Sequence, residues 1–416
     1  MGTPQYVSIE DDDSIADCFA RRVAKSSEDL AYREFDAREG RWKTVTWREV
    51  AVRAGRVRAA LASEGLVAGD RVAIMLRNGL EWVAFDQGAL AHGLVVVPLY
   101  ADDRPDNIAY ILEDSGAQVL FIEGAEHLKK IAEIRARIPG VKRIVCVKPL
   151  EGGADPRVRA LDDWWPAQPA VAAPVKTGGN AIATIVYTSG TTGRPKGVVL
   201  SHRNILQNVK SCLAVYAVYR DDVFLSFLPL SHMLERTVGY YLTMAAGAVV
   251  AFARSIAQLS EDFKSVQPTV IVSVPRIFER LHGAIQATLQ SSTPMKRRLF
   301  EAAHQVGWDV FQWHQGRAGW KLSFLAWPLL RALVAAKLLE RLGGRLRLCI
   351  SGGAALNTQI AHTFIGLGLP ICQGYGLTEA SPVVSVNHLA RNDPASIGMP
   401  LPGVEVSFGD NSALRV

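Results

Sequence analysis

The chain has 416 residues, 49% hydrophobic and 21% charged, with 35 glycines and 20 prolines. At roughly 150 residues per domain that suggests two or three domains, and the composition excludes disordered, collagen-like and low-complexity classes. The formal charge of +6 permits attraction to nucleotides, coenzymes or an anionic membrane face, but with no dense basic patch or recognition module it argues against nucleic acid as a partner.

Cys18, Cys146, Cys212, Cys349 and Cys372 lie far apart and form no CxxC pair. That spacing excludes a disulfide framework and points to a reducing, cytoplasmic setting. The nine histidines are scattered too, so no zinc-ligand spacing exists. The acidic N-terminus has no apolar core of a signal peptide. Gly2 is followed by Tyr6 where a myristoylation signal needs Ser or Thr.

Helical periodicity at 47–64 opens a regular alternation. Strand-like RVAIML at 71–76 is followed by a helix at 80–92, LVVVPLY at 94–100, a helix over Asp106 to Glu113, QVLFI at 118–122 and VKRIVCV at 141–147. Continuous apolar strands separated by helices imply a mostly parallel sheet covered on both faces. Residues 149–178, rich in Pro, Ala and Gly, read as a connection that Trp164 and Trp165 anchor. The pattern resumes at 181–189, 223–229, a helix from about 233, 247–252, 268–275, a helical region at 276–342 and 345–353.

The expected architecture is therefore α/β, with two similar layered subdomains. The first takes 1–178. The second takes 179–385, with a helical insertion near 291–342. Residues 386–416 begin a small β subdomain. There, LPGVEVSFGDNSALRV reads as a strand, a turn at Gly409–Ser412 and a second strand that stops short, so the expectation is a truncated chain.

No stretch approaches a fully apolar spanning length. The nearest, 322–342, carries Arg331, Lys337, Glu340 and Arg341 with Pro328 inside it. Two readings stay open: a helix packed on the core, or one lying on a membrane surface. The rings Trp308, Phe311, Trp313, Trp320, Phe324 and Trp327 divide likewise between core packing and an entrance or headgroup contact.

The sharpest local signal is Thr188-Ser189-Gly190-Thr191-Thr192-Gly193-Arg194-Pro195-Lys196-Gly197, directly after an apolar strand. Glycines let backbone N–H groups converge on an anion, and four hydroxyls add donors. Lys196 supplies a compact charge suited to a polyphosphate, and Pro195 stiffens the loop. The pattern GxxxxGK[ST] does not fit, because Pro195 and Gly197 stand where Gly and Ser or Thr are required. The strand-like VVL that follows also differs from the helix such a loop opens.

YTSGTTGRPKGVVLSHRN resembles the core signature of the adenylate-forming superfamily, the acyl-CoA synthetases and their relatives. FLPLSHMLER at 227–236, RLCISGGAAL at 347–356 and QGYGLTE at 373–379 resemble further motifs of that family, in the expected order, and 69–100 resembles its first subdomain. The resemblance covers about residues 15–416. It implies a two-step ligation, in which a carboxylate attacks the α-phosphate of ATP and a thiol, usually coenzyme A, then takes the acyl group. AMP leaves a carboxylate far more readily than a hydroxide-like oxygen does.

The resemblance assigns the β and γ phosphates to 188–197, through Thr188, Ser189, Gly190, Thr191, Thr192, Gly193 and Lys196. It assigns Mg²⁺ to Glu379 with Thr188, the α-phosphate to Thr378, and adenine stacking to Tyr375 between Gly374 and Gly376. Gln373 belongs to that motif, and Gly352, Gly353 and Ala354 admit the adenine. Thr188, Lys196, Thr378 and Glu379 carry the catalytic roles. His232 borders the acyl or adenylate pocket, while His202 is read as part of a helix start capped by Ser201. Glu235 and Arg236 do not face each other on a helix.

LSHMLER, the run at 343–347 and the insertion resemble the long-chain fatty acyl-CoA synthetases more than the acetate or aromatic-acid members. The implied reactants are a fatty acid, ATP and coenzyme A. A peripheral contact with the inner membrane face through 308–342 is a further expectation. Oligomeric state is open, with a homodimer carried forward. The family's ribose-binding acid, hinge and C-terminal lysine have no counterpart here, so the chain resembles a large N-terminal portion, for which little activity alone is expected. The alternatives are a ligase for an aromatic or other acid, one that loads a carrier-protein thiol, and a non-catalytic nucleotide-binding regulator. The last predicts damaged motifs, whereas 188–197 and 373–379 are intact.

Overall fold

Runs such as Val95–Pro98 and Val119–Ile122, apolar at every position, need cover on both faces, and a parallel sheet between helices supplies it. The computed structural model describes residues 3–149, 155–166, 175–188, 193–410 and 413–416. It divides into two compact units. The first holds the residues up to Lys210 with Pro229–Phe252, and the second holds Ser211–Leu228 with Ala253–Val416.

In the first unit a seven-stranded sheet runs in the order Val158–Ala160, Arg143–Cys146, Val119–Ile122, Arg71–Met75, Val95–Pro98, Ile182–Thr188 and Lys196–Ser201. All neighbours are parallel except the last pair. Helices Leu80–Ala91, Pro105–Ser115 and Ala125–Glu133 form the crossovers. Helix Trp47–Ser63 starts where Thr46 and Glu49 bond each other's backbone N–H, a reciprocal cap. A Cβ on Gly88 would lie 2.6 Å from Val57 Cβ, so glycine there lets helices Leu80–Ala91 and Trp47–Ser63 pack closely.

Strand Ile182–Thr188 pairs with Val95–Pro98 through Val96 and Thr184. One sheet thus runs across position 178, where the sequence suggested a boundary. The connecting segment itself contributes strand Val158–Ala160 and the short helix Leu161–Trp164. Trp164 is buried edge-on to Phe121 at 5.5 Å, and its Nε1 donates to Glu64 Oε1 at 3.0 Å. The same unit holds Val249–Phe252 parallel to Leu30–Asp36, which pairs antiparallel with Arg41–Thr46. The sequence reading passes over this hairpin, because polar residues occupy most of its half-exposed positions.

The helix expected from 233 is π-wound over Glu235–Tyr241, then α over Leu242–Ala246, and every residue in it is buried. Its Arg236 donates to Asp86 Oδ1 at 2.5 Å, Tyr241 Oη at 2.9 Å and Thr184 Oγ1 at 2.8 Å. Asp86 Oδ2 accepts from Tyr240 at 3.0 Å and Tyr241 at 2.9 Å, and the guanidinium lies 5.1 Å over the Trp82 ring. Burial alone would lower the Arg236 pKa, but Tyr241 and Asp86 outweigh it and hold the group above its ordinary value. Arg236 therefore pairs with a residue 150 positions away, not with its neighbour Glu235.

The second unit carries strands in the order Met399–Pro400, Val383–Val386, Ile371–Gly376, Leu348–Ser351, Val270–Ser273 and Val223–Ser226. The last four are parallel, and the first two extend the sheet antiparallel. Ser407–Phe408 and Leu414–Arg415 form the expected strand pair, and Asn411 and Ser412 of its turn lie outside the described residues. Asp222 fixes the strand starts: it receives Arg347 Nε at 2.7 Å and Thr269 Oγ1 at 2.7 Å.

The helical region resolves into Pro275–Gln290, Pro294–His314 and a run through Leu322–Ala326, Trp327–Leu330, Arg331–Ala335 and Ala336–Arg341. Among the described residues, Leu322–Arg341 is long and apolar enough to cross a membrane by length and composition. That corrects the expectation that no stretch approaches this size. Pro328 does not interrupt the run, because it sits in the first turn of the α-helical part, where a missing N–H is tolerated.

Arg236→Ala leaves the Asp86 carboxylate buried without its cation. It should lower the free energy of unfolding by about 3–5 kcal/mol, read from urea denaturation.

Candidate functional site

Two antiparallel strands of the first unit flank segment 188–197 and make a hairpin. Ile182–Thr188 and Lys196–Ser201 pair antiparallel, with Thr188 opposite Lys196 at the mouth. Ser189, Gly190, Thr191 and Thr192 lie outside the described residues. Gly193 has φ +90° with open space around it, so glycine is needed there for backbone conformation rather than for room. Lys196 and Arg194 are exposed and Thr188 is half-buried. The Arg194 guanidinium lies 5.7 Å over the Tyr110 ring.

The base of this hairpin is fixed. Tyr187 packs in the core with Met75, Leu99 and Ile122. Its hydroxyl donates to Asp114 Oδ2 at 2.6 Å, and burial together with that carboxylate pushes the phenol well above its ordinary pKa. A Cβ on Gly197 would lie 2.9 Å from Ile185 Cγ2, so glycine lets the return strand lie flat. Beyond it, Ser201 and Asn204 cap each other and start helix His202–Val215. His202 is buried, its Nδ1 accepts from Ile15 N at 3.1 Å, and burial lowers its pKa to about 4. It is a structural histidine, as the sequence suggested.

His232, also in the first unit, reaches solvent, and its Nδ1 accepts from Leu234 N at 3.2 Å. Crowding by protein desolvates the ring enough to lower its pKa. Asn78 Oδ1 accepts from Leu230 N at 2.9 Å and holds the turn ahead of it.

In the second unit, Leu348–Ser351 and Ile371–Gly376 are parallel neighbours, with Ser351 opposite Gln373. Gly352–Ala354 therefore leaves its strand beside the C-terminal end of Ile371–Gly376, whose Gly374, Tyr375 and Gly376 stay in the sheet against Val383–Val386. Strand C-terminal ends are where open α/β sheets bind ligands. Gly353 has φ +79°. Gly353, Ala354, Tyr375 and Gly376 are exposed. Thr378 and Glu379 sit in a single tight turn, Thr378 half-buried and Glu379 exposed.

Gln373, expected from the resemblance to bind the nucleotide, makes two internal hydrogen bonds. Its Oε1 accepts from Leu356 N at 2.6 Å, and its Nε2 donates to Ser396 O at 3.2 Å. The buried side chain thus pins the 352–356 loop to the segment after the sheet. Asn387 donates to Ser396 O at 2.7 Å and accepts from Asp393 N at 2.9 Å. Asn392 Nδ2 donates to Ile371 O at 2.7 Å, and Tyr216 donates to Asn387 O. The sequence reading missed these supports. The available signal was polar residues in an otherwise apolar exit from VVSV.

The predicted residues thus fall in two sets, each placed within its own unit. Among the described residues no three His, Cys, Asp or Glu side chains cluster as a metal site. Glu379 is a single accessible carboxylate with no ion pair among the described residues. That fits a hard cation whose remaining ligands are phosphate and water oxygens, not an all-protein cage.

The AMP-binding enzyme family matches residues 19–416, and the chain belongs to that family. The long-chain-fatty-acid–CoA ligase FadD15 of Mycobacterium bovis is 34% identical over 392 residues, 91% of this chain and 63% of that protein. Fatty acyl-CoA synthetase A of Dictyostelium discoideum is 31% identical over 411 residues, 94% of this chain and 59% of that one. The chain thus spans under two thirds of the length of these curated relatives. The structure of the anthranilate CoA ligase AuaEII with anthranoyl-AMP shares the fold at TM-score 0.75 and 21% identity, covering 97% of this chain and 67% of that one.

His202 gives a test of the hairpin's support. The unfolded histidine titrates near its ordinary 6.5 and the folded one near 4, so the unfolded chain binds more protons between those values. Stability should be flat above that window and fall by about 3 kcal/mol as pH drops through it. His202→Gln removes this limb. The difference in urea-unfolding free energy between the two proteins should shrink by that amount from about pH 7 to about pH 4.

Proposed function

We propose that this chain carries the ATP-dependent activation of a medium- to long-chain fatty acid. The acid becomes an acyl-adenylate with release of pyrophosphate, and the acyl group then passes to coenzyme A, releasing AMP. The observation that supports the reading is that strands Leu348–Ser351 and Ile371–Gly376 lie parallel with Ser351 opposite Gln373, so that Gly352–Ala354 follows one strand and Gly374-Tyr375-Gly376 ends the other, with the exposed Glu379 three residues on. The substrate class rests on similarity to the long-chain-fatty-acid–CoA ligase FadD15 and to fatty acyl-CoA synthetase A.

In the first step a carboxylate oxygen forms a bond to the α-phosphorus, and the bond from that phosphorus to the pyrophosphate oxygen breaks. Charge builds on the departing pyrophosphate. Thr188, the backbone N–H of Gly193 and the Lys196 ammonium bind the β and γ phosphates, and Lys196 neutralises that charge. Ser189, Gly190, Thr191 and Thr192 complete the donor set. Tyr375 stacks on adenine, for which the small residues at 352–354 leave room, and the Thr378 hydroxyl donates to the α-phosphate. Glu379 and Thr188 are the residues that would hold Mg²⁺, which supplies further neutralisation of phosphate charge. Charge on the departing pyrophosphate develops during transfer, so Lys196 and Glu379 act mainly on the transition state, whereas Tyr375 acts on binding of the nucleotide. In the second step the thiolate sulfur attacks the acyl carbonyl and AMP leaves. His232 borders the acyl group.

The first test, made on the intact parent protein, is carboxylate-dependent pyrophosphate release with Mg²⁺-ATP, with and without coenzyme A, across acids from acetate to stearate and with anthranilate and benzoate alongside. Release that rises with chain length and accelerates with coenzyme A is expected. Release confined to anthranilate or benzoate would replace the fatty acid by an aromatic one. ATP binding by calorimetry with no release for any acid would move the chain to the regulatory reading. In the same assay Lys196→Ala and Glu379→Gln should each lower kcat/KM by about 100-fold or more. Tyr375→Ala should act chiefly on the KM for ATP.

A further inference from the structure

We propose that the helical run from Leu322 to Arg341 is a docking face for an anionic lipid surface. The sequence left two readings of this run open, and core packing fails on burial: only 17% of it is covered. Leu322, Leu325, Leu329 and Leu333 are 73%, 71%, 64% and 45% exposed. Their spacing of three, four and four residues lays them along one stripe. Trp320, 56% exposed, stands at the start of that stripe, where an amphipathic ring suits the boundary between headgroups and acyl chains.

The opposite side of the run is tied down. Phe324 is buried, 5.7 Å from the Trp313 ring and 6.2 Å from Trp320. Ala335 and Leu342 are buried. Trp327 presses against Gly307 of helix Pro294–His314, where any Cβ would collide with its ring. Lys321 pairs with Asp309 of the same helix at 2.9 Å. An attached helix with a one-sided leucine stripe suits lying in an interface rather than crossing it.

Charge selects the partner. Between Arg317 and Arg345 the chain carries six Lys or Arg and one acid, Glu340. Arg331, Lys337 and Arg341 are exposed along the run itself. Lys337 and Arg341, four and eight residues beyond Leu333, continue the stripe as exposed cations, which complements acyl chains beneath anionic headgroups, whereas a second copy of this chain would bring the same cations against it. The proposal does not depend on the reaction assigned above.

The test is co-sedimentation of the chain with vesicles of phosphatidylcholine alone and of phosphatidylcholine mixed with phosphatidylserine. A dye reports insertion: all five native cysteines are buried, so Leu325→Cys takes the label selectively. Binding to the mixed vesicles with a blue shift of the dye is expected. Leu325→Asp with Leu329→Asp should weaken binding about 100-fold or more, and circular dichroism should show an unchanged fold because both side chains are exposed. Lys337→Gln and Arg341→Gln should each weaken it about 5-fold, and only on the anionic vesicles. The proposal is overturned if the chain binds neither vesicle, or if the aspartate pair leaves binding unchanged. It is equally overturned if sedimentation velocity shows a dimer that the aspartate pair dissolves, which would make the face an interface between copies.

Discussion

The ion pair between Asp86 and Arg236 is the constraint on which the first unit depends. Both groups are wholly removed from water, and a charge so placed is tolerable only when every donor and acceptor around it is used. Tyr240, Tyr241 and Thr184 supply that completion. The pair therefore joins a crossover helix, a π-wound helix and the strand that leads to the hairpin tip. The i→i+5 winding brings Arg236 and the two tyrosines to a single carboxylate. The tip at Thr188 is positioned by a strand that cannot shift without breaking this network.

In the second unit neutral groups do the same work. Gln373 and Asn387 spend their side chains on backbone partners in two separate segments, at 356 and at 393–396. Those bonds hold the glycine-bounded Tyr375 and the turn bearing Glu379 while leaving both open to solvent. These clamps are uncharged, so they bring no fixed charge beside the edge proposed above to bind the nucleotide.

The parallel strands were legible because burial on both faces writes an unbroken apolar run, as in Val119–Ile122. The hairpin Leu30–Asp36 with Arg41–Thr46 was not, since its exposed positions are polar and mask the alternation. The division into units was not legible either, because Pro229–Phe252 joins the residues up to Lys210 in space but not in sequence. At the candidate site, the glycines, hydroxyls and lysine of 188–197 announce themselves locally, and so does Gly374-Tyr375-Gly376. Partnerships such as Asn392 with Ile371, or Arg236 with Asp86, leave no mark at fixed spacing, and only the folded chain reveals them. Leu322–Arg341 was ambiguous because a leucine stripe looks the same whether it faces a core or a solvent, and burial alone separates the two.

The hairpin form of 188–197 has an electrostatic consequence. In loops that open a helix, the summed peptide dipoles place about half a positive charge at the anion. The strand Lys196–Ser201 offers no such macrodipole, because successive peptide dipoles in a strand largely cancel. In the proposed phosphate site an anion would be met by local N–H groups, hydroxyls and the exposed Lys196 ammonium, whose field salt ions screen within a Debye length of about 8–10 Å. Its hold on a polyphosphate is therefore expected to weaken with ionic strength more steeply than that of a loop seated on a helix end.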